Sequence, residues 1–151
     1  MKREELLEKI KRGKKDFRNL NLQSIELSGL DLKNLAFKNC KLDYSNFNAS
    51  NLTNTTFKDC SLTWCSFKNC KLLNTKFLNC DLSYSIFNDS TCYQTDFSGS
   101  KLDWTLFFRV NKAGLIINKA LNIEKIAWNE GQLSKEVHEK IVGPELERIK
   151  T

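Results

Sequence analysis

Leucine or phenylalanine returns every five residues along most of this chain. The series begins at Phe17 and ends at Phe107, and Cys92 is its one interruption. Apolar positions recur about every 3.6 residues on one face of an α-helix and every second residue on one face of a strand, so a period of five fits neither. It indicates a chain that turns the same corner every five residues, which is the pattern of a solenoid.

A second inward position lies two residues before each leucine or phenylalanine and is small through most of the series. Its occupants are Cys40, Ser45, Ser50, Thr55, Cys60, Cys65, Cys70, Thr75, Cys80, Ser85, Ser90, Thr95, Ser100 and Thr105. One large and one small side chain per five residues fill a narrow tube, so the other three positions, rich in Asn, Asp, Lys, Ser and Thr, are expected to face outward.

In this pattern the chain resembles the pentapeptide repeat family, whose motif is a small residue, Asp or Asn, Leu or Phe, and two variable residues. Units such as Ser50-Asn51-Leu52-Thr53-Asn54 and Cys80-Asp81-Leu82-Ser83-Tyr84 carry the motif, and the resemblance covers residues 15–109. It implies an all-β solenoid, a right-handed quadrilateral β-helix of about five coils with short N- and C-terminal helical caps. Residues twenty apart then stack in columns along the rod.

The segment before the repeats, residues 1–14, is predicted to be an N-terminal capping helix. Leu6, Leu7 and Ile10 form one apolar stripe. Glutamates four residues before basic residues, as in Glu5–Lys9, support a helix across the same segment. Such a helix would cover the strand edges at the first coil.

The segment after the repeats, residues 110–151, loses the five-residue period and is predicted to be a C-terminal helical cap or a dimerisation segment. Ser134 is a suitable N-cap for a short helix, and Pro144 is suited to the first turn of another. We expect a monomer, or a dimer formed through this segment.

Composition and charge narrow the class of partner. A chain of 151 residues fits one domain, and its formal charge of +6 is spread thinly, with ten basic and eight acidic residues in 17–109. The basic column Arg18, Lys38 and Lys58 is the one candidate phosphate track, and three charges on a face are typical of ordinary solvation. No apolar run reaches the roughly 18 residues of a membrane span, and the charged N-terminus lacks the features of a signal peptide. We therefore expect a cytoplasmic protein that contacts neither nucleic acid nor membrane.

Reactive residues are few. The small inward position explains five of the six cysteines and the central position explains Cys92, so all six are interpreted as buried structural thiols. No CxxC pair is present, and the single histidine, His138, lies in a charged stretch. The chain shows no phosphate-binding loop or nucleophile motif. The sequence predicts no enzyme, no metal and no cofactor.

An aromatic column is the best candidate binding surface. It consists of Tyr44, Trp64, Tyr84 and Trp104, spaced by twenty residues at the last position of the unit. Large rings on a surface are enriched at interfaces. The alternative interpretation is that these rings stack on each other and stiffen one corner of the rod.

A second apolar cluster is predicted near the C-terminal end. It consists of Ile86, Leu106 and Phe108 on one face and Leu73 and Tyr93 on the next. Because soluble proteins seldom leave such a patch bare, we expect the tail to fold back over it as a cap. Dimerisation through the tail is the alternative.

These features predict a non-enzymatic scaffold that presents a rigid surface to a protein partner. The family resemblance suggests one alternative, a DNA-mimicking topoisomerase modulator, which the net positive charge of the rod disfavours. A small ligand or glycan bound on the aromatic column is the other alternative.

Overall fold

The backbone is a parallel β-solenoid. A computed structural model describes residues 1–129, which form about five coils. One face of the rod is a six-stranded parallel sheet in which each strand pairs with the next along the chain. Its strands are β1 (Asp16–Arg18), β2 (Ala36–Lys38), β3 (Thr56–Lys58), β4 (Lys76–Leu78), β5 (Thr95–Asp96) and β6 (Leu115–Ile116). The predicted fold class is confirmed.

The register repeats every twenty residues. In the sheet, Phe17 lies opposite Phe37, which lies opposite Phe57. The other three faces are joined by isolated parallel bridges with the same step, which in the first two coils are Asn21–Lys41, Glu26–Asn46 and Asp31–Asn51. Four ladders that start five residues apart give the rod four sides, as the resemblance implies.

The core consists of the stacked central residues. Every central side chain from Phe17 to Phe107 is at most 5% exposed. Phe67 shows the packing, because its ring stacks on Phe47 at 4.8 Å and on Phe87 at 4.7 Å between centroids. Its edge also meets Phe77, with a centroid distance of 5.4 Å and an interplanar angle of 82°. Phenylalanine columns therefore interlock across the tube as well as along it.

The small inward position is also a hydrogen-bonding position. Ser85 Oγ donates to the carbonyl of Leu62 at 2.6 Å, and Thr75 Oγ1 donates to that of Leu52 at 2.8 Å. Cys65 Sγ makes the equivalent contact with a preceding coil at 3.1 Å. Serine, threonine and cysteine alternate here because each is small and each can donate to a buried carbonyl. The sequence indicated their size, but not this bond between coils.

The corners of the rod are left-handed turns. The last residue of each five-residue unit has a positive φ, between +52° and +64° for the non-glycine residues of this set. Asparagine and aspartate tolerate this region best among residues with side chains, and they occupy nine of the nineteen corners, as Asn19 and Asn34 do in the first coil. The corner chemistry explains the abundance of Asn in the sequence.

The N-terminal cap is a helix, α1 (Arg3–Lys11). Leu6 is fully buried against the first coil, and Leu7 and Ile10 pack beside it. Arg3 Nε donates to the carbonyl of Glu26 at 2.8 Å, so the helix also satisfies a backbone group at the open end of the solenoid. The Glu5–Lys9 ion pair forms at 3.7 Å.

The parallel ladder continues past residue 109, where the five-residue period fades in the sequence. β6 pairs with β5, Leu121 bridges to Lys101, and Ala127 bridges to Leu106. Two residues obscure the repeat at this end of the rod, since Lys112 in the fifth coil and Asn122 in the sixth stand where the series would place leucine. The last step is also one residue longer than the others, because the partner of Leu106 lies twenty-one residues ahead.

The predicted helical character of this segment is not seen in residues 110–129, which contain two short 3-10 turns, Lys112–Gly114 and Ile123–Lys125. The helices expected around Ser134 and Pro144, together with His138, lie outside the described residues. Within residues 1–129, no helix has the length and apolar character that crossing a membrane requires.

Candidate interaction surface

The four aromatic residues form one corner of the rod. Tyr44, Trp64, Tyr84 and Trp104 all adopt the left-handed conformation, with φ of 64°, 57°, 63° and 54°. Ser24 holds the same position in the first coil. We call the column of four aromatic residues the aromatic corner.

The conformational preference of the turn does not explain why aromatic residues occupy this corner. A bulky L-residue in the left-handed region costs roughly 1–2 kcal/mol relative to ordinary helical or extended backbone. Of the fifteen other corners on the rod, eleven carry Asn, Asp or Gly, which suit this region, and the remaining four are Ser24, Ala49, Gln94 and Arg109. The aromatic corner is therefore maintained against the local conformational preference.

The central rings of the corner stack on each other. The centroids of Trp64 and Tyr84 are 4.5 Å apart, and their planes are nearly parallel at 7°. Lys125 Nζ lies 5.8 Å from the ring centroid of Trp104. Tyr44 is the most exposed of the four, at 40%. The interpretation that these rings stack on each other therefore applies to Trp64 and Tyr84. Tyr44, in contrast, presents much of its side chain to solvent.

Part of the second apolar cluster adjoins the aromatic corner. Ile86 and Leu106 point outward from the face that follows the corner, yet each is only 2% exposed. They pack with Phe108 and Ala127, and Trp64, Tyr84 and Trp104 close the cluster from the side. Two apolar groups that the sequence suggested separately therefore form one continuous cluster, in which the rings are the more exposed part.

The other two predicted residues lie apart from this surface. Leu73 is half-buried and Tyr93 is 61% exposed, and both stand on the following face. The described tail contributes Ala127 to the larger cluster, and the remainder of the proposed covering segment lies outside the described residues.

A buried carboxylate supports the aromatic corner from its polar side. Asp43 precedes Tyr44 and accepts hydrogen bonds from Ser61 Oγ at 2.6 Å and from the backbone N–H and hydroxyl of Thr63 at 2.9 and 2.6 Å. Burial alone would raise the pKa of Asp43, but these hydrogen bonds outweigh it and hold the pKa below its usual value. The sequence alone does not reveal this role of Asp43, because its hydrogen-bond partners lie about twenty residues away.

The depressed pKa of Asp43 makes part of the stability depend on acid pH. A carboxyl group whose folded pKa lies below its unfolded value, near 3.8, stabilises the fold above that value, and this contribution is lost as the pH falls through the folded pKa. We expect the urea midpoint of the wild type to fall below about pH 4 more steeply than that of Asp43→Asn.

Asn48 shows that the amide can replace the carboxylate. Its Oδ1 accepts from Ser66 Oγ and from the backbone N–H of Lys68 in the equivalent place on the neighbouring face. Asp43→Asn should therefore fold. Parallel pH profiles for the two proteins would contradict the role given to Asp43.

A shallow polar cleft of about 340 Å³ runs beside the rings of the corner. Its polar side chains are those of Thr63, Asp81, Ser83, Lys101 and Asp103. Lys101 Nζ lies 3.9 Å from a carboxylate oxygen of Asp81, so the charge along this edge is mixed. The surface thus combines an apolar centre with a polar margin, the usual anatomy of a protein interface.

The cysteines lie inside the rod. All six are buried free thiols, and residues 1–129 contain no group of three or more potential metal ligands. Burial raises the pKa of the Cys70 thiol to about 11 and that of Cys92 to about 12. Five of the six occupy the same inward position as the serines and threonines. The weak acidity of the Cys70 and Cys92 thiols follows from desolvation.

Thiol labelling should distinguish the folded from the unfolded chain. At pH 8 the Cys70 thiol, with a pKa of about 11, is about one thousandth thiolate. Because all six thiols are also buried, iodoacetamide should leave the native protein unmodified, whereas all six residues should react in urea. Intact-mass spectrometry reads the number of adducts. Rapid labelling of one native site would show that the thiol concerned is accessible.

The basic column is partly neutralised. Arg18 forms an ion pair with Asp16 at 2.9 Å, whereas Lys38 and Lys58 are exposed on the same face. This leaves Lys38 and Lys58 as a short run of positive charge, beside a cleft of about 410 Å³ whose lining includes Asn19, Asn39 and Asp59.

Sequence models of pentapeptide repeats match most of the solenoid. One spans residues 57–101, and another matches 21–59 and 31–69. Together they cover more than half of the chain. No curated protein matches the sequence.

Solved structures share the fold. A trypsin-treated form of QnrB1, a plasmid-mediated fluoroquinolone resistance protein, superposes with a TM-score of 0.60 at 19% identity, covering 64% of this chain and 49% of QnrB1. A pentapeptide repeat protein from the Arabidopsis thaliana thylakoid lumen gives 0.51 at 20% identity, covering 67% and 63% of the two chains. The chain thus matches about half to two thirds of the length of these proteins, and the likeness concerns the fold alone.

Proposed function

This chain belongs to the pentapeptide repeat family, and we propose that it is a non-enzymatic scaffold that presents its aromatic corner to a protein partner. The observation that carries the proposal is the left-handed conformation of all four aromatic residues. Asparagine would satisfy the turn at lower conformational cost. A benefit outside the turn, such as binding, explains why bulky rings stand there instead.

The solenoid suits this role because it fixes the rings before a partner arrives. Three of the four corner residues are tied to the next coil by a backbone hydrogen bond. Tyr44 N–H donates to the carbonyl of Thr63 at 2.9 Å, Trp64 N–H to that of Ser83 at 3.0 Å and Tyr84 N–H to that of Asp103 at 2.9 Å. Such preorganisation reduces the conformational entropy that binding would otherwise cost.

The apolar neighbours support the proposed surface. Ile86, Leu106 and Phe108 are buried beside the rings on the adjoining face, and Asp81 and Lys101 border the corner on the other side. A complementary protein surface would carry an apolar centre with polar groups around it. Aromatic side chains at the centre of such a contact often account for much of the binding energy.

The test compares proteins retained by immobilised wild type with those retained by Tyr44→Asn/Trp64→Asn, identified by quantitative mass spectrometry. Tyr93→Asn is the matched control, since it removes an exposed ring elsewhere on the rod. A true partner is retained by the wild type and the control, and its purified form binds the double variant at least about tenfold more weakly. Equal retention and equal affinity for all three proteins would contradict the proposal.

Tyr44→Asn should stabilise the folded protein while it weakens partner binding. Because asparagine tolerates the left-handed region better than tyrosine, we expect a gain of about 0.5–1 kcal/mol in the free energy of unfolding by urea titration. Asn54→Tyr, the reverse change at another exposed corner, should cost a similar amount. A clear loss of stability in Tyr44→Asn would instead give Tyr44 a structural role.

The glycan alternative is disfavoured by the orientation of the rings. A sugar stacks on the face of an aromatic ring, whereas Trp64 and Tyr84 cover each other's faces at 4.5 Å. The outward part of this pair is therefore mainly ring edge, which suits contact with protein side chains better.

The topoisomerase-modulating alternative is disfavoured by the distribution of charge. DNA mimicry requires rows of carboxylates, and no outer column of residues 16–109 holds more than two acidic side chains. The column that contains Asp43 and Asp103, for example, has Thr63 and Ser83 between them.

A further inference from the structure

Three cysteines stand in successive coils at the same small inward position. Cys40, Cys60 and Cys80 are spaced by twenty residues, with Leu20 before them and Ser100 after them. The parallel register of the rod stacks the three directly over one another. We call them the thiol column. It lies inside the rod and is independent of the aromatic corner.

The three sulfur atoms of the thiol column point in the same direction. Cys60 Sγ donates to the carbonyl of Phe37 in the preceding coil at 3.4 Å. Cys80 Sγ makes the same contact with Phe57 at 3.4 Å, and Cys40 Sγ makes the equivalent contact at 3.6 Å. Because side chains of equal orientation on stacked strands repeat at the strand spacing, successive sulfurs lie about 4.8 Å apart.

Neighbouring thiols of the column influence each other's acidity. Contact with Cys60, together with burial, raises the pKa of the Cys40 thiol. Contact with Cys40 lowers the pKa of the Cys60 thiol, but the Cys80 thiol and burial outweigh this effect and raise that pKa to about 12. Both thiols are therefore protonated near neutral pH, and a ligand that needs thiolates must displace their protons.

We propose that two successive thiols of the column bind one soft monovalent metal ion of the Cu(I) class in linear two-coordination. Thiolate ligands select such ions over harder cations. Two metal–sulfur bonds of roughly 2.3 Å in line span about 4.6 Å, close to the spacing of about 4.8 Å between the sulfurs. A zinc site needs three or four protein ligands, and residues 1–129 contain no group of three or more that could hold one ion.

Binding exchanges two protons for the ion. Each of the two cysteines releases its S–H proton to solvent and forms one sulfur–metal bond. The oxidation state of the metal does not change, and the complex carries one net negative charge. Lys38 and Lys58, whose main-chain carbonyls contact the sulfurs of Cys40 and Cys60 at 3.4 Å, carry exposed positive charges beside the column. The basic column thus offsets the charge of the loaded site.

A cleft of about 410 Å³ leads to the thiol column from outside. Cys40 is part of its lining, together with Asn39, Asp59 and Ser61. The exposed amide and carboxylate oxygens of Asn39 and Asp59 attract a cation to the cleft before it reaches the thiols. The ion therefore has an entry path at this end of the column.

Anaerobic titration of the full chain with Cu(I), in competition with the chelator bicinchoninate, tests the site. One ion per chain is expected, because Cys60 belongs to both possible pairs. Cys60→Ser breaks both pairs and should weaken binding at least about 100-fold, whereas Cys40→Ser and Cys80→Ser each leave one pair and should still bind one ion. Equal affinity of the wild type and Cys60→Ser, or loss of binding in both other variants, would overturn the proposal.

The serine variants should fold, since Ser100 at the same position of the column donates to the carbonyl of Phe77 at 2.6 Å. Cys65→Ser is the matched control, because Cys65 has serine in both neighbouring coils of its own column. It should bind Cu(I) with unchanged affinity. Weakening of Cys65→Ser by as much as Cys60→Ser would show that the ion is not held by the thiol column.

Two further readouts identify the coordination. X-ray absorption at the copper edge should show two sulfur neighbours, and the affinity should rise by about 100-fold per pH unit near neutrality because two protons are released. Far-UV circular dichroism should stay that of the folded rod. A third sulfur neighbour, an affinity independent of pH, or unfolding on addition of Cu(I) would contradict a two-thiolate site in the native protein.

Discussion

Replacing Phe67 with alanine is expected to lower the free energy of unfolding by about 3–5 kcal/mol. The side chain is completely buried at the middle of the rod and is stacked between Phe47 and Phe87. A solenoid coil contacts only its neighbours, so a cavity here cannot be closed by rearrangement elsewhere. Urea unfolding followed by far-UV circular dichroism measures the loss.

Phe67→Leu is the matched control for this prediction. Leu27 occupies the same column in the first coil, which shows that the geometry accepts leucine. The cost should stay below that of the alanine variant, at about 1–2 kcal/mol. If Phe67→Ala were as stable as Phe67→Leu, the interlocked phenylalanine columns would not be the main source of stability.

Replacing Leu6 with alanine is expected to cost about 2–4 kcal/mol and to loosen α1 from the first coil. Leu6 is the one fully buried residue of the helix. The helix covers an end of the solenoid where the carbonyl of Glu26 would otherwise lack the hydrogen bond from Arg3. Loss of the cap should therefore also promote association between rods, because open strand edges pair with each other.

Two measurements separate these effects. Thermal unfolding reports the stability, and light scattering at several protein concentrations reports the association. Glu4→Ala, an exposed change in the same helix, should alter neither by more than a small amount. A Leu6→Ala protein that stayed monomeric and as stable as Glu4→Ala would show that α1 is not needed as a cap.

The fold could be predicted from the sequence because one local rule repeats. Each unit carries a small residue, a large central residue and a turn residue, and these fix an inward pair and a corner. Local and long-range preferences agree in such a chain, so the columns Phe17–Phe97 and Leu22–Leu102 could be assigned by adding twenty. The helix over Arg3–Lys11 followed from its apolar stripe in the same way.

The sixth coil could not be predicted because the five-residue apolar period is lost after residue 109. Lys112 and Asn122 replace the central apolar residues, and one extra residue shifts Ala127 and Trp128 out of phase. Trp128 nevertheless lies at the end of a phenylalanine column, with its ring centroid 5.4 Å from that of Phe107. Pairing with the fifth coil, rather than the local period, determines the path of this segment.

The shape of the candidate surface was also only partly predictable. The twenty-residue spacing was enough to align Tyr44, Trp64, Tyr84 and Trp104. That Ile86 and Leu106 would pack under the same rings depends on side-chain directions at a corner, which spacing does not specify. The role of Asp43 was missed because its donors come from the next coil.

The twenty-residue register also constrains how this rod can change length. Adding or removing a whole coil leaves every column in phase. A gain or loss of one five-residue unit between Trp64 and Tyr84 would instead rotate everything beyond it by a quarter turn, splitting the aromatic corner between two edges and setting phenylalanine against leucine inside. An unbroken run of rings from Tyr44 to Trp104 therefore requires length changes within that interval to come in whole coils.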